Sequence, residues 1–193
     1  KKTSFSISSI NYGNLFSSVI SKKLGLPIEH IISSNNINNP VERYFKSGIY
    51  NALSPKETLS NAMDIGDPSN FKRVQTIFDS DLRKMKNMIY AFSFSDTHTK
   101  NAIKELLDNF NYISDPHGAI GYLGAKKYIN DNLGSQCIFL ETAHYFKFYD
   151  EIKSIINKEH KAPSQLNKIL NKVKNSIQIK NYNQFKDYLN LTI

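Results

Sequence analysis

The sequence predicts an α/β fold, a three-layer, doubly wound and mainly parallel sheet, and three observations carry that expectation. Extended and amphipathic stretches alternate, which is the pattern of strands joined by crossover helices. Small polar residues gather where strands hand over to helices, the place where such sheets bind ligands. The 193 residues, 40% of them hydrophobic, suffice for one sizeable domain or one lobe of a larger enzyme.

Residues 3–8 read as a first strand, and residues 15–24 as a helix stopped by Gly25 and Pro27. Between them lies Ser8-Ser9-Ile10-Asn11-Tyr12-Gly13-Asn14, the junction around which the chain is organised. A small-residue loop turns backbone N–H groups inward, and the following helix adds unpaired N–H groups and the positive end of its dipole. Such a junction suits an anion, a phosphate for example. Ser9, Asn11 and Asn14 offer side-chain hydrogen bonds, and Gly13 allows close backbone approach or a positive φ. An ordinary turn with a helix cap accounts for the same residues, and on the loop alone it is the commoner case.

Residues 28–33 read as a second strand, followed by an Asn-rich turn over 35–39 and a short helix that Pro40 opens and Gly48 ends. The stretch 57–73 is dense in small and polar residues, and loops of that kind often carry function. Its Asp67-Pro68-Ser69-Asn70 equally suits a turn and cap for the helical pattern Phe71, Val74, Ile77, Phe78. A helix is expected over 79–88, an extended run over 89–94, and a helix over 96–110 with Ala102, Ile103, Leu106, Leu107 and Phe110 at core spacing. Ser114 to Gly121 then enters a helix reaching Tyr128, in which Gly118, Gly121 and Gly124 permit close packing against a strand or a ligand. Beyond Gly134, residues 137–140 are expected as a short buried strand that delivers Glu141-Thr142-Ala143-His144 to its C-terminal end. A helix over 145–157 and two polar, amphipathic helices over 162–193 complete the chain. The expected division is a core over about 1–148 and a helical tail over about 149–193, packed on the outside of the same lobe.

Composition narrows the function classes. No apolar run approaches the roughly 18–20 residues that span a bilayer, and no signal-peptide core opens the chain, so a cytoplasmic protein with no membrane partner is expected. The single cysteine, Cys137, fits a reducing compartment and reads as a buried, inert thiol. The net charge of +8 admits a nucleic-acid partner, but the lysines are spread among acidic residues and the densest stretch, 158–180, holds few aromatics to stack on bases. Nucleic-acid binding is therefore the minor reading. His117 and His144 lack a third ligand at recognisable spacing, so no metal is expected and cap or supporting roles fit them better. Asp64 and Asp115 sit in turn chemistry, where structural hydrogen bonding is the expected role. The chain opens at Lys1 directly on an apparent core strand, from which an upstream portion is expected.

One ordered set of motifs runs through this reading: Ser9-Ile10-Asn11-Tyr12-Gly13-Asn14, Leu24-Gly25-Leu26-Pro27-Ile28, Asn36-Ile37-Asn38-Asn39, Thr58 to Ile65 with Pro68-Ser69-Asn70, Asp115-Pro116-His117-Gly118-Ala119, and Thr142-Ala143-His144 with Lys147-Phe148. Over about residues 8–148 the chain thereby resembles threonine synthase, a pyridoxal-phosphate (PLP) enzyme of fold type II, the tryptophan synthase β-like type. The resemblance implies that Ser9, Asn11, Tyr12, Gly13 and Asn14 hold the phosphate of pyridoxal 5'-phosphate. It implies that Thr142 meets the pyridine nitrogen, and that Asn61, Ala62 and Met63 line one side of the cofactor site. It implies conversion of O-phosphohomoserine and water to threonine and phosphate by the complete enzyme. The family's cofactor-bearing lysine lies in an N-terminal lobe, in a short Lys-Asp motif, and nothing in this chain is read as that motif. The chain is thus expected to be the C-terminal portion, with the N-terminal lobe as its missing partner and no catalytic residue of its own. Two departures stand out: Ile10 replaces a common glycine before the loop asparagine, and Tyr145 and Phe146 follow Thr-Ala-His where proline and a small residue are usual.

Two alternatives stay open. Another fold-type-II lyase, a threonine or serine dehydratase for example, shares the phosphate loop and the terminal hydroxyl. The other is a non-catalytic remnant that only binds.

Overall fold

A computed structural model describes residues 3–168 and 172–192. The chain divides into two compact units, Lys1–Glu159 and His160–Ile193. In the first, β1 (Thr3–Ser8), β2 (Ile28–Asn35), β3 (Ile89–Ser93) and β4 (Gln136–Phe139) form one parallel sheet in the order β3-β2-β1-β4. Its helices are α1 (Gly13–Lys23), α2 (Pro40–Ser47), α3 (Phe71–Ile77), α4 (Leu82–Lys86), α5 (Asp96–Phe110), α6 (Pro116–Asp131) and α7 (Tyr149–Ile156). The second unit carries α8 (Ser164–Asn167) and α9 (Tyr182–Thr192).

Side-chain alternation along β1 separates the layers. Ile7 and Phe5 join Leu15 and Val19 of α1, Val41, Tyr44 and Phe45 of α2, and Phe71 and Val74 of α3 in one apolar cluster. The serines between them turn to α6: Ser6 Oγ donates to Gly121 O at 2.6 Å and Ser8 Oγ to His117 O at 3.0 Å. Small residues let that helix lie close. A Cβ on Gly124 would stand 1.8 Å from Ser34 Oγ on β2, so the close packing expected of the helix glycines is realised there. Behind α6, Ala102 and Ile103 of α5 and Ile152, Ile155 and Ile156 of α7 form a separate cluster. Sheet and two helical layers make the three-layer α/β fold that the sequence predicts.

Two expectations need correction. Residues 137–140 are not a buried strand: among the described residues β4 pairs only with β1, and Ile138 is 50% exposed. Cys137 is accordingly only partly buried, though burial still pushes its thiol up to about 11. The helix expected over 79–88 shortens to α4, because Asp79 and Ser80 take left-handed φ of 53° and 57° and the Asp81 carboxylate caps Arg83 N and Lys84 N. Against the expected division near 148, the first compact unit extends through Glu159, and α7 buries Ile152, Ile155 and Ile156. Of the two tail helices, α8 is one turn; Ile169, Leu170, Asn171 and Ile193 lie outside the described residues, as do Lys1 and Lys2.

Candidate functional site

The strand order places a topological switch at β1. From β1 the chain crosses to β2 on one side, and after α5 and α6 it returns to lay β4 on the other. Connections leaving the C-terminal ends of β1 and β4 diverge, which opens a crevice there. Register brings the two ends level: Ser6 pairs with Phe139, and Leu140 N donates to Ser6 O at 2.9 Å.

Beyond β1, the predicted loop is held from within. Ser9 is buried, its N–H donating to Ser34 O and its hydroxyl engaged by Ser33 Oγ at 2.9 Å and by Ile7 O at 3.3 Å. Tyr12 takes a left-handed φ of 60°, buries its ring edge-on to Phe71, and donates its hydroxyl to Asn35 Oδ1 at 2.9 Å. Burial pushes that phenol up, so it stays a donor. Asn11 Nδ2 donates to Ser69 Oγ at 3.0 Å, which ties the loop to the turn before α3. With the residue before it pinned, α1 begins at Gly13 and presents the first-turn N–H groups of Gly13, Asn14 and Leu15. Nothing crowds Gly13 closely: a Cβ there would find Asn70 Nδ2 no nearer than 3.6 Å.

Beyond β2, the irregular stretch carrying Asn61, Ala62 and Met63 is fixed by Asp64. Its carboxylate accepts from Asn36 Nδ2 at 2.8 Å, Asn38 Nδ2 at 3.0 Å, Thr58 Oγ1 at 2.7 Å and Thr58 N at 2.9 Å. This is the structural hydrogen bonding expected of that aspartate. Residues 61–63 form a single 3-10 turn in which Met63 is buried, Ala62 partly so, and Asn61 exposed.

Beyond β4, Thr142 is exposed on an open groove of about 570 Å³, lined also by Tyr112, Ile113, Glu141, Ala143 and Tyr145. Of the predicted residues this groove takes in only Thr142; the β1 loop and residues 61–63 lie outside its lining. Glu141 reaches the first turn of α6, accepting from Ser114 Oγ at 3.0 Å and Asp115 N at 3.2 Å. Burial, followed by the neighbouring Asp115 carboxylate, raises its carboxyl to about 8. Burial opposes ionisation of Asp115 too, but hydrogen bonds from His117 and Glu141 outweigh it and hold that carboxyl below its ordinary range. His117 is buried, its Nδ1 2.7 Å from Asp115 Oδ1 and its ring 5.0 Å from that of Phe148. His144 caps the 3-10 turn Tyr145–Phe148 by accepting from Phe146 N at 3.1 Å. Among the described residues no group of three potential ligands gathers to hold a metal.

Residues 118–189 match the family model described as threonine synthase, C-terminal. The chain is 35% identical over 161 residues to threonine synthase of Serratia marcescens, a match covering 83% of this chain and 37% of that protein. Threonine synthase of Escherichia coli (strain K12) is 33% identical over the same length, again 37% of its own. The crystal structure of threonine synthase from Escherichia coli superposes with a TM-score of 0.81 at 30% identity, over 88% of this chain and 39% of that one.

The chain is similar to threonine synthase over part of that enzyme's length.

The PLP-bound threonine synthase of Brucella melitensis agrees, with a TM-score of 0.79 at 28% identity over 86% of this chain and 40% of that one. A threonine deaminase of Solanum lycopersicum, at 15% identity and a TM-score of 0.54, shares the fold alone. The resemblance to threonine synthase read from the ordered motifs is thus borne out, and this chain spans 37% of the length of the first curated relatives. One reading needs amending: a Lys-Asp pair does occur, at Lys186-Asp187 on α9, where Lys186 is exposed in the second unit and outside the motif-bearing stretch 8–148. Sequence reasoning placed Glu141 at the end of its strand and Ser114 before α6 but not their pairing, which depends on β4 ending beside the start of α6.

Proposed function

We propose that this chain is the cofactor-gripping portion of a threonine synthase, a carbon–oxygen lyase acting on phosphates. The complete enzyme converts O-phosphohomoserine and water to L-threonine and phosphate with pyridoxal 5'-phosphate. One observation carries the reading: the β1 loop with its helix N-terminus and the exposed Thr142 hydroxyl stand at the C-terminal ends of adjacent strands, at the switch point of the sheet.

The residues present fit the cofactor. The left-handed Tyr12 and the open face of Gly13 leave the first-turn N–H groups of α1 clear for a phosphate, with the helix dipole favouring its charge. Asn11 and Asn14 flank that position, while Ser9 and Tyr12 hold the loop from behind. Thr142 supplies a neutral hydroxyl for the ring nitrogen, which orients the ring without favouring full protonation as a carboxylate would. Asn61, Ala62 and Met63 close one side of the site. When bound, the cofactor supplies the electron sink for carbanion chemistry. Proton transfer falls to groups outside residues 1–193, and no catalytic residue is assigned within them.

The test is borohydride reduction with PLP followed by mass spectrometry, on this chain and on the protein expressed from its full natural reading frame. A stoichiometric adduct on a lysine outside residues 1–193 is expected. An adduct on Lys186, or on any other lysine of this chain, overturns the placement. Release of inorganic phosphate from O-phosphohomoserine by the full protein separates threonine synthase from a dehydratase of the same fold.

A further inference from the structure

Glu141 borders the groove beside a cofactor-facing hydroxyl, yet its carboxyl reaches back into the start of α6. Room for it exists only because residue 118 is glycine: a Cβ there would lie 2.0 Å from Glu141 Oε2 and 2.3 Å from its Cδ. The carboxyl accepts from the Ser114 hydroxyl and from Asp115 N–H. Asp115 Oδ2, fully buried, has no conventional donor among the described residues, whereas Oδ1 receives both His117 N and His117 Nδ1. A Glu141 carboxyl that carries a proton supplies the missing donor, and two acidic side chains then share one hydrogen between them.

We propose that Glu141 is a positioning residue: seated between Ser114, Asp115 and Gly118, it locks the chain just before Thr142 and so aims the Thr142 hydroxyl. The inference rests on Thr142 being the group that meets the cofactor's ring nitrogen. Geometry gives the lock its strength. One side chain joins the end of β4 to the first turn of a buried helix, and the next residue along is Thr142. The lock holds while the shared proton is present. When Glu141 ionises, it stands beside the Asp115 carboxylate in a partly buried site, with Tyr112 the other titratable group against it and His117 occupied on the far side of Asp115. Like charges there drive Glu141 out of the niche, and Thr142 loses its fixed backbone. The raised carboxyl, near 8, sets where this happens.

Glu141→Gln and Glu141→Ala separate the lock from simple structural support. A glutamine accepts from Ser114 and Asp115 N–H and donates to Asp115 Oδ2 at every pH, so it imitates the protonated acid; alanine removes the lock. Two readouts are taken. In this chain, without cofactor, the Thr142 amide resonance should move with a midpoint near pH 8 in the wild type and stay still in E141Q. In the full natural protein, E141A should weaken PLP binding about tenfold, the equivalent of one hydrogen bond of about 1.4 kcal/mol, with the fold intact by circular dichroism. E141Q should hold wild-type affinity and keep it above pH 8, where the wild type loses it. Superposable Thr142 titrations in wild type and E141Q, or unchanged affinity in E141A, overturn the proposal. Thr142→Val, measured alongside, tests the reading underneath. If it leaves PLP affinity unchanged, Thr142 is not the ring partner and the proposal falls with it, while the cofactor-free titration still reports whether the lock exists.

Discussion

Two glycines of α6 differ in what a methyl group there would meet. At Gly124 the added carbon would lie 1.8 Å from Ser34 Oγ and 2.9 Å from Ser34 Cβ, so the root of a side chain on β2 must shift. Gly124→Ala is therefore expected to destabilise the fold by about 1–3 kcal/mol, the usual cost of overpacking, read as a lowered urea midpoint at unchanged slope. At Gly118 the obstacle is the far end of Glu141, which can swing into the groove. Gly118→Ala should cost less stability while releasing the lock on Thr142. Glu141 also leaves a pH signature whose sign is fixed. Its carboxyl is near 8 when folded and near 4.3, the ordinary value, when unfolded, so between these limits the native state binds a proton that the unfolded state does not. Glu141 thus makes stability fall as pH rises through that window and adds no slope above it. The melting temperature of E141Q should gain on that of the wild type from about pH 4.3 to about pH 8 and then run parallel to it. A constant difference across the window would mean that Glu141 ionises normally in the native protein.

Between α2 and α3 the chain has one 3-10 turn and no other regular element, yet it takes a defined course. Side chains substitute for the missing ladder. Asp64 gathers Asn36, Asn38 and Thr58, while Asn38 forms a two-way clamp with Lys56, donating to its O at 2.8 Å and accepting from its N at 2.8 Å. The Asp96 carboxylate at the start of α5 receives Leu59 N from the other side. Asp64→Asn would turn one acceptor oxygen into a donor facing donors, and is expected to cost about 1–3 kcal/mol, the penalty for buried groups left unpaired. Faster hydrogen exchange at the Thr58 amide, which Asp64 Oδ2 now receives, is the local readout. The kind of role Asp64 plays was legible in the sequence, since Asp within a turn-rich stretch reads as a backbone acceptor. Its partner Asn36 was not, because it lies 28 residues away and the irregular connection after β2 must fold back on itself to bring the two together.

At the scale of the whole molecule, what the sequence disclosed was what local patterning determines. Strands β1, β2 and β3 and helix α5 fall where period and punctuation put them, within a residue or two. The position of β4 was misread because its apolar run, Cys137 to Leu140, looks the same whether a strand is central or at the edge; neighbours decide that, and the order β3-β2-β1-β4 leaves β4 with β1 alone among the described residues. The end of the core carries the same ambiguity. Helix α7 is polar on one side, as a solvated tail would be, but its other side carries Ile152, Ile155 and Ile156, which close the cluster around Ala102, Ile103 and Ala119. Two truncations separate these readings. A chain ending at Phe148 exposes that cluster and forfeits the burial of three isoleucines, on the order of 5 kcal/mol at about 1.5–3 kcal/mol each, enough to unfold a domain of ordinary stability. A chain ending at Glu159 keeps every one of those contacts and should melt within a few degrees of the first unit in the intact protein. Equal melting of the two truncations would place α7 outside the core and restore the shorter boundary.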